Sequence, residues 1–262
     1  DMRRRISPFL MRRLKKEVLT ELPDKIESVF TAQMSPEQAK VYEATMMRLR
    51  QRVDSIVKEK GFERGRTEVL AAITQLREIC CHPSLVLDDY TGTSGKLDML
   101  LDMLPEAIAK GRRVLLFSAF TSMLKILRRE LDDAGYETMY LDGDTPAQRR
   151  VEMAEQFNAG QGQIFLISLK AGGTGLNLTG ADMVIHYDPW WNPAAEDQAT
   201  DRAYRIGQTR KVEVIRLVTH ASIEEQVVAL GQRKKALFDQ LIKPGESMVG
   251  GLSPQEIMSL FQ

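Results

Sequence analysis

The sequence is poor in cysteine, histidine and aromatic residues, carries no net charge and contains no long apolar run. Its two cysteines, Cys80 and Cys81, are neighbours. Adjacent thiols cannot staple distant segments, which excludes a disulfide scaffold and fits a reducing compartment. The three histidines, His82, His186 and His220, are scattered, and Cys80-Cys81-His82 lacks chelating spacing, so no metal site is expected. No stretch nears the roughly 18 apolar residues that span a bilayer and no signal peptide opens the chain, so no membrane partner is expected. The 36 Lys and Arg balance 36 Asp and Glu, which leaves the partner class open because the charge is unevenly placed. With 43% hydrophobic and 27% charged residues, 262 residues can bury a proper core as one large domain or one and a half.

The charge imbalance is strongest at the start. Arg3, Arg4, Arg5, Arg12, Arg13, Lys15 and Lys16 face only Asp1, as a solvated tail or a strap near phosphate. Pro23 marks a turn into a short strand over 28–33. Ser35-Pro36-Glu37-Gln38 then starts a helix with cap, proline and third-position glutamine in place. Tyr42, Met46, Leu49, Val53 and Ile56 give it one apolar face, and a second helix over 66–80 carries Val69, Ile73, Leu76 and Cys80. The pair is expected to project from a core rather than to form one. A connector at 88–95 follows.

From Ser94 onward helices alternate with short β-rich runs at 114–118, 138–142, 164–168, 183–187 and 212–218. Their near-continuous apolar character predicts strands buried on both faces, hence an α/β fold with a parallel sheet covered by helices on both sides. Ser222 and Glu225 predict a capping box, a Lys-Pro-Gly break stands at 243–245, and a short helix is expected near 254–261. The domains so read are 1–34, linker and first strand; 35–93, helical protrusion; 94–221, sheet core; and 222–262, C-terminal helices.

Ligands of such a sheet gather at the carboxyl ends of its strands. Three ends carry small or hydroxyl residues: Ser118 with Thr121 and Ser122; G-D-T-P (143–146), with Thr145 as cap; and Ser168-Leu169-Lys170-Ala171-Gly172-Gly173-Thr174-Gly175. Each alone is met by plain helix capping; together they suit successive phosphates, and glycine lets the backbone approach closely. Asn192-Pro193 opens a helix predicted to run to Gly207, placing Gln198, Arg202 and Arg205 on one face. Arginines so aligned can neutralise a transferred phosphoryl group, or simply line a solvated face beside Asp201. T-S-G-K (93–96) is no phosphate-binding loop, since Tyr90 stands where that motif needs glycine; Ser94 is expected to cap a helix. His82 and the methionines, Met46 and Met99 among them, read as packing residues.

The runs A-G-G-T-G-L-N-L-T-G-A-D (171–182), D-P-W-W-N-P (188–193) and D-Q-A-T-D-R-A-Y-R-I-G-Q (197–208) resemble the C-terminal lobe of SWI/SNF-family ATP-dependent DNA translocases, which are superfamily-two helicase-like proteins. L-R-E-I-C-C-H-P (76–83) is similar to the family's L-R-x-x-C-N-H-P, departing at Cys81. L-L-F-S-A-F (115–120), Y-L-D-G (140–143) and P-F-L-M-R-R (8–13) extend the likeness along nearly the whole chain, and the W-W form resembles the bacterial and post-replication-repair branches.

The resemblance implies a RecA-like lobe with an inserted protrusion and C-terminal brace helices. It implies that Arg202 and Arg205 are arginine fingers directed at ATP, with Gln198 ordering the interface. It implies that Gly173 and Gly175 serve the nucleotide side, while Ser118, Thr145, Ser168, Lys170 and Gly172 meet the DNA backbone. Trp191 would lie beside DNA or pack internally. The family's phosphate-binding lysine loop and D-E-x-H magnesium box belong to its N-terminal lobe and do not occur in this sequence. ATP with Mg2+ would then be held mainly by that lobe, and this chain alone would not turn over ATP. Expected partners are double-stranded DNA, the N-terminal lobe and repair or transcription machinery, in the cytoplasm of a bacterium or the nucleus of a eukaryote. Two other readings stay open: a stand-alone nucleic-acid or protein binding module, and an independent Rossmann-type enzyme, the latter disfavoured because 172–180 does not fit G-x-G-x-x-G.

Overall fold

The computed structural model describes residues 22–173, 175–241 and 254–261. The basic segment 1–16, the P-F-L-M-R-R run, Thr174 and the Lys-Pro-Gly break lie outside the described residues.

Six strands form one parallel sheet: β1 (Lys25–Ala32), β2 (Val114–Ser118), β3 (Thr138–Leu141), β4 (Ile164–Ser168), β5 (Met183–His186) and β6 (Val212–Thr219). Their order is β1-β6-β5-β2-β4-β3, with Val114 of β2 in register with both Ile164 and Met183. The five later strands lie close to where the apolar runs predict them; the first begins at Lys25, ahead of the predicted 28.

Alternation along these strands builds two cores. Leu116, Leu166, Ile185 and Ile215 face α3 (Gly95–Ala109) and α4 (Thr121–Asp133) through Leu100, Leu104, Leu124 and Leu127. Leu115, Phe117, Phe165, Val184 and Val214 face the other way, against Met153 and Phe157 of α5 (Ala147–Asn158) and Ala199 of α6 (Pro193–Thr200). Burial on both sides is why these strands read as unbroken apolar runs.

The hairpin of α1 (Pro36–Lys60) and α2 (Phe62–Cys81) opens with the predicted capping box: Gln38 N–H donates to Ser35 Oγ, and the Gln38 side chain takes the Ser35 N–H. Contrary to expectation, the hairpin makes a core of its own. Tyr42, Leu49, Val53, Val69, Ile73 and Leu76 close a third cluster with Ile223, Ile257, Leu260 and Phe261. The last three belong to α8 (Pro254–Met258) and the 3-10 turn after it, so the hairpin buries its stripe against the chain's C-terminal part. Tyr42 fastens the start of α7 (Ile223–Leu241), its hydroxyl accepting from Ile223 N–H at 2.8 Å.

Three local expectations are corrected. Thr145 does not cap α5, which begins at Ala147 without a side-chain cap; its hydroxyl is exchanged with Asp142 instead. Ser222 accepts from Glu224 N–H at 3.1 Å, but Glu225 turns to His220 at 3.0 Å, so no capping box closes. The helix from Pro193 stops at Thr200, short of Gly207. Beyond it the carbonyl of Arg202 accepts from Leu178 N–H and that of Ala203 from the Gln208 side chain, bonds that take the backbone out of helical register.

Candidate functional site

A parallel sheet sends all its carboxyl ends to one edge, so the loops after β2, β3, β4 and β5 meet there. Arg150, from the first turns of α5, ties two of them together. Its guanidinium donates to the carbonyls of Thr145 (2.7 Å) and Gly143 (2.8 Å) after β3, and of Ala171 (3.2 Å) after β4.

The early end of α6 separates the three residues that helical spacing had placed on one face. Gln198 remains on α6 and is exposed. Arg205 lies in the turns beyond and is exposed, its Nη1 donating to the Gly175 carbonyl at 3.2 Å. Arg202 is only 4% exposed. Its guanidinium carbon stands 5.6 Å from the Phe117 ring centre, and among the described residues its Nη1 has no hydrogen-bond partner and no salt bridge holds it. Burial pulls its pKa down to about 10, with Arg150 pushing the same way. Of the two guanidiniums expected on one face, one is exposed and the other is buried, with no partner for its Nη1 among the described residues.

Ser118 and Ser168, expected to meet the DNA backbone, are each 1% exposed. The Ser118 hydroxyl is committed to Asp188 and also receives Phe120 N–H at 3.1 Å. Lys170 is exposed, with Nζ 5.8 Å from the Trp190 ring centre. Gly172 and Gly173 lie in the 3-10 turn Leu169–Gly173, and Gly175 is exposed. Trp191 is half-buried against the hairpin cluster. Glu196, buried in α6, fixes the loop before it by accepting from Trp190 N–H at 2.7 Å and from Arg216 at 2.8 Å.

Sequence spacing missed two buried groups at this edge. Asp188 accepts from Ser118, from Ala119 N–H and from Arg77 of α2 at 3.2 Å. The clue was available for Arg77: it lies four residues after Ile73, on the apolar stripe, where a charge needs a buried partner. T-S-G-K has a structural use. Ser94 caps α3 by accepting from Leu97 N–H, and Lys96 forms a buried pair with Glu224 at 2.7 Å. His82 packs as expected, its Nδ1 2.7 Å from Ser84 Oγ. Among the described residues no cluster of His, Cys, Asp and Glu is suited to a metal, and no helix is long and apolar enough to cross a membrane.

A model of the helicase conserved C-terminal domain matches residues 95–207, and one of the SNF2-related domain matches residues 1–85. The putative ATP-dependent helicase/translocase YwqA of Bacillus subtilis is 39% identical over 98% of this chain and 28% of its own length. The chromatin structure-remodeling complex subunit snf21 of Schizosaccharomyces pombe is 37% identical over 92% of this chain and 21% of its own. The chain thus spans about a quarter of the length of these relatives. Among solved structures, the Sulfolobus solfataricus SWI2/SNF2 ATPase core in complex with dsDNA aligns with a TM-score of 0.73 at 34% identity, over 99% of this chain and 55% of that one. The C-terminal domain of the same ATPase aligns at 0.70 and 29% identity, over 90% and 98%. The chain belongs to the SWI/SNF family of helicases and is its RecA-like C-terminal lobe.

Proposed function

We propose that this lobe is one jaw of a motor that hydrolyses ATP in a cleft against an N-terminal lobe and steps along double-stranded DNA. The observation that carries the proposal is Arg202, a buried guanidinium that, among the described residues, has an orphaned Nη1 and no carboxylate pairing it. An uncompensated buried charge costs stability, so its retention points to a partner brought from outside, and a triphosphate supplies the matching charge. Arg205, exposed and bonded to the Gly175 carbonyl, would turn to the same anion. Gln198 would order the lobe contact, and Gly173 and Gly175 would let backbone approach the nucleotide. Magnesium would be held by the acidic box of the other lobe and would neutralise the phosphates there; this chain's part is the transition-state charge. Without that lobe the chain is expected to be inactive.

DNA would be gripped by backbone contacts at the carboxyl edge, through Lys170, Thr145 and the Gly172 turn, with Trp191 beside the duplex. Ser118 and Ser168 would shape these loops from beneath. Arg150, bonded to carbonyls of two loops, would transmit loop movement toward Arg202. Such contacts read phosphate and not sequence. The motor would work on the nucleoid of a bacterium or in the nucleus of a eukaryote, alongside repair or transcription machinery.

The DNA half is tested by titrating duplexes of unrelated sequence with the full-length protein at several salt concentrations. Affinity should be sequence-independent, and Lys170→Ala should reduce the slope of log K against log salt by about 1. An unchanged slope and affinity would contradict it. Duplex binding without any DNA-stimulated hydrolysis would favour a stand-alone binding module.

A further inference from the structure

The polar side chains that fasten the carboxyl edge to the helical hairpin include Tyr187, whose hydroxyl donates to the Cys81 carbonyl at 3.1 Å, and Arg77. Arg77 of α2 is 1% exposed and reaches a loop 111 residues further on. Its Nη2 donates to Asp188 Oδ2 at 3.2 Å and to the Pro189 carbonyl at 2.7 Å. Its guanidinium carbon lies 5.1, 5.3 and 5.4 Å from the ring centres of Phe120, Trp190 and Trp191. Asp188 extends the knot to the turn after β2, accepting from the Ser118 hydroxyl and, with both oxygens at 3.2 Å, from Ala119 N–H. Three segments distant in sequence therefore converge on one guanidinium: α2, the β2–α4 turn and the loop after β5.

The chemistry of this group is more specific than filling space demands. Its Nε is buried without a partner among the described residues, so a well-packed apolar side chain would be the less costly occupant. What arginine adds is a rigid plane that can lie against several rings while its fork holds a carboxylate. A lysine ammonium offers neither. The rings it touches include both tryptophans of the chain.

We propose that Arg77 is a positioning residue, setting the ring planes of Trp190 and Trp191 and, through Asp188, the Ser118–Ala119 turn, so that hairpin and edge loops move as one body when duplex is engaged. The functional half rests on the duplex contact proposed above for Trp191; the positioning half does not.

The test is a double-mutant cycle in the full-length protein, read by duplex affinity. Arg77→Lys keeps the charge and loses the plane and fork. It should weaken duplex binding by about tenfold in the parent and by less than about twofold in a Trp191→Ala background, because its effect passes through that ring. The same loss in both backgrounds would overturn the proposal. A second readout is the 19F spectrum of protein labelled with 5-fluorotryptophan, with resonances assigned by Trp190→Phe and Trp191→Phe. Arg77→Lys should move both resonances, and unmoved resonances would overturn the proposal whatever the DNA result. Trp191→Ala with undiminished affinity would overturn the functional half together with the duplex contact beneath it; moved fluorine resonances in that case would place the failure there and not in the positioning. If Arg77→Lys does not fold, Phe120→Leu, which opens one wall of the cage, is read in the same two ways.

Discussion

The Arg202 guanidinium carbon rests 5.6 Å from the centre of the Phe117 ring, and among the described residues its Nη1 bonds to nothing. A cation over a phenyl face recovers about 0.5–2 kcal/mol, less than desolvation of the charge removes. Arg150 is the charged group that pushes on it, and the push is repulsive.

Arg202 therefore weakens the lobe it belongs to. Its pKa, drawn down by burial to about 10, lies below the ordinary 12.5, so the unfolded chain holds this proton more tightly than the folded one. The penalty is present below pH 10 and is relieved as pH rises through that value. Arg202→Met should stabilise this lobe at neutral pH by about 1–2 kcal/mol in urea unfolding, after allowance for the lost ring contact. A less stable variant would show that the guanidinium is better compensated than its neighbours imply.

Gly95 is fixed by contact and not by backbone angle. A Cβ there would stand 1.6 Å from the Gln33 carbonyl oxygen, a backbone atom that cannot rotate away. Gly95→Ala should cost at least about 3 kcal/mol, above the usual range for overpacking. At Gly143 a Cβ would meet nothing within 4 Å, so Gly143→Ala is the matched control and should be near neutral in the same unfolding measurement. Equal stability of the two variants would contradict the close approach.

His186 predicts acid sensitivity. Burial, assisted by Arg216, brings its pKa down to about 3, while its Nε2 sits 2.9 Å from Thr200 Oγ1 and its ring stacks on Phe117. Between the ordinary 6.5 and about 3 the unfolded chain binds a proton that the folded chain refuses, so stability falls with pH across that window. The slope approaches about 1.4 kcal/mol per pH unit for this one proton. Thermal unfolding from pH 7 to pH 4 should lose less stability in His186→Gln than in the parent, and an identical slope would refute the assignment.

Much of the fold was legible because its cause is local. The runs at 114–118 and 164–168 read as strands buried on both faces and are so, and Ser35 with Gln38 announces a helix start that forms as written. The misreadings have tertiary causes. Asn192-Pro193 and Gly207 mark a helix running past Thr200, but Leu178 N–H and the Gln208 side chain take carbonyls that a longer helix would need. Thr145 and Glu225 have the right types for caps and are drawn instead to Asp142 and His220. At the site, Lys170 and Arg205 are exposed, as the expected contacts would require, whereas Ser118 and Ser168 are enclosed by the sheet itself. Asp188 was illegible, since its partners come from two distant segments, α2 and the turn after β2; for Arg77 a clue stood in the sequence, a charge on an apolar stripe.

The most direct test of the central claim is the DNA-stimulated ATPase rate of the full-length protein carrying Arg202→Ala or Arg205→Ala, measured at saturating duplex. Loss of transition-state charge stabilisation should lower kcat by about 10²–10³ for each, with duplex affinity changed by less than about twofold. Hydrolysis at the parent rate in both variants would contradict the assignment of these arginines to the nucleotide.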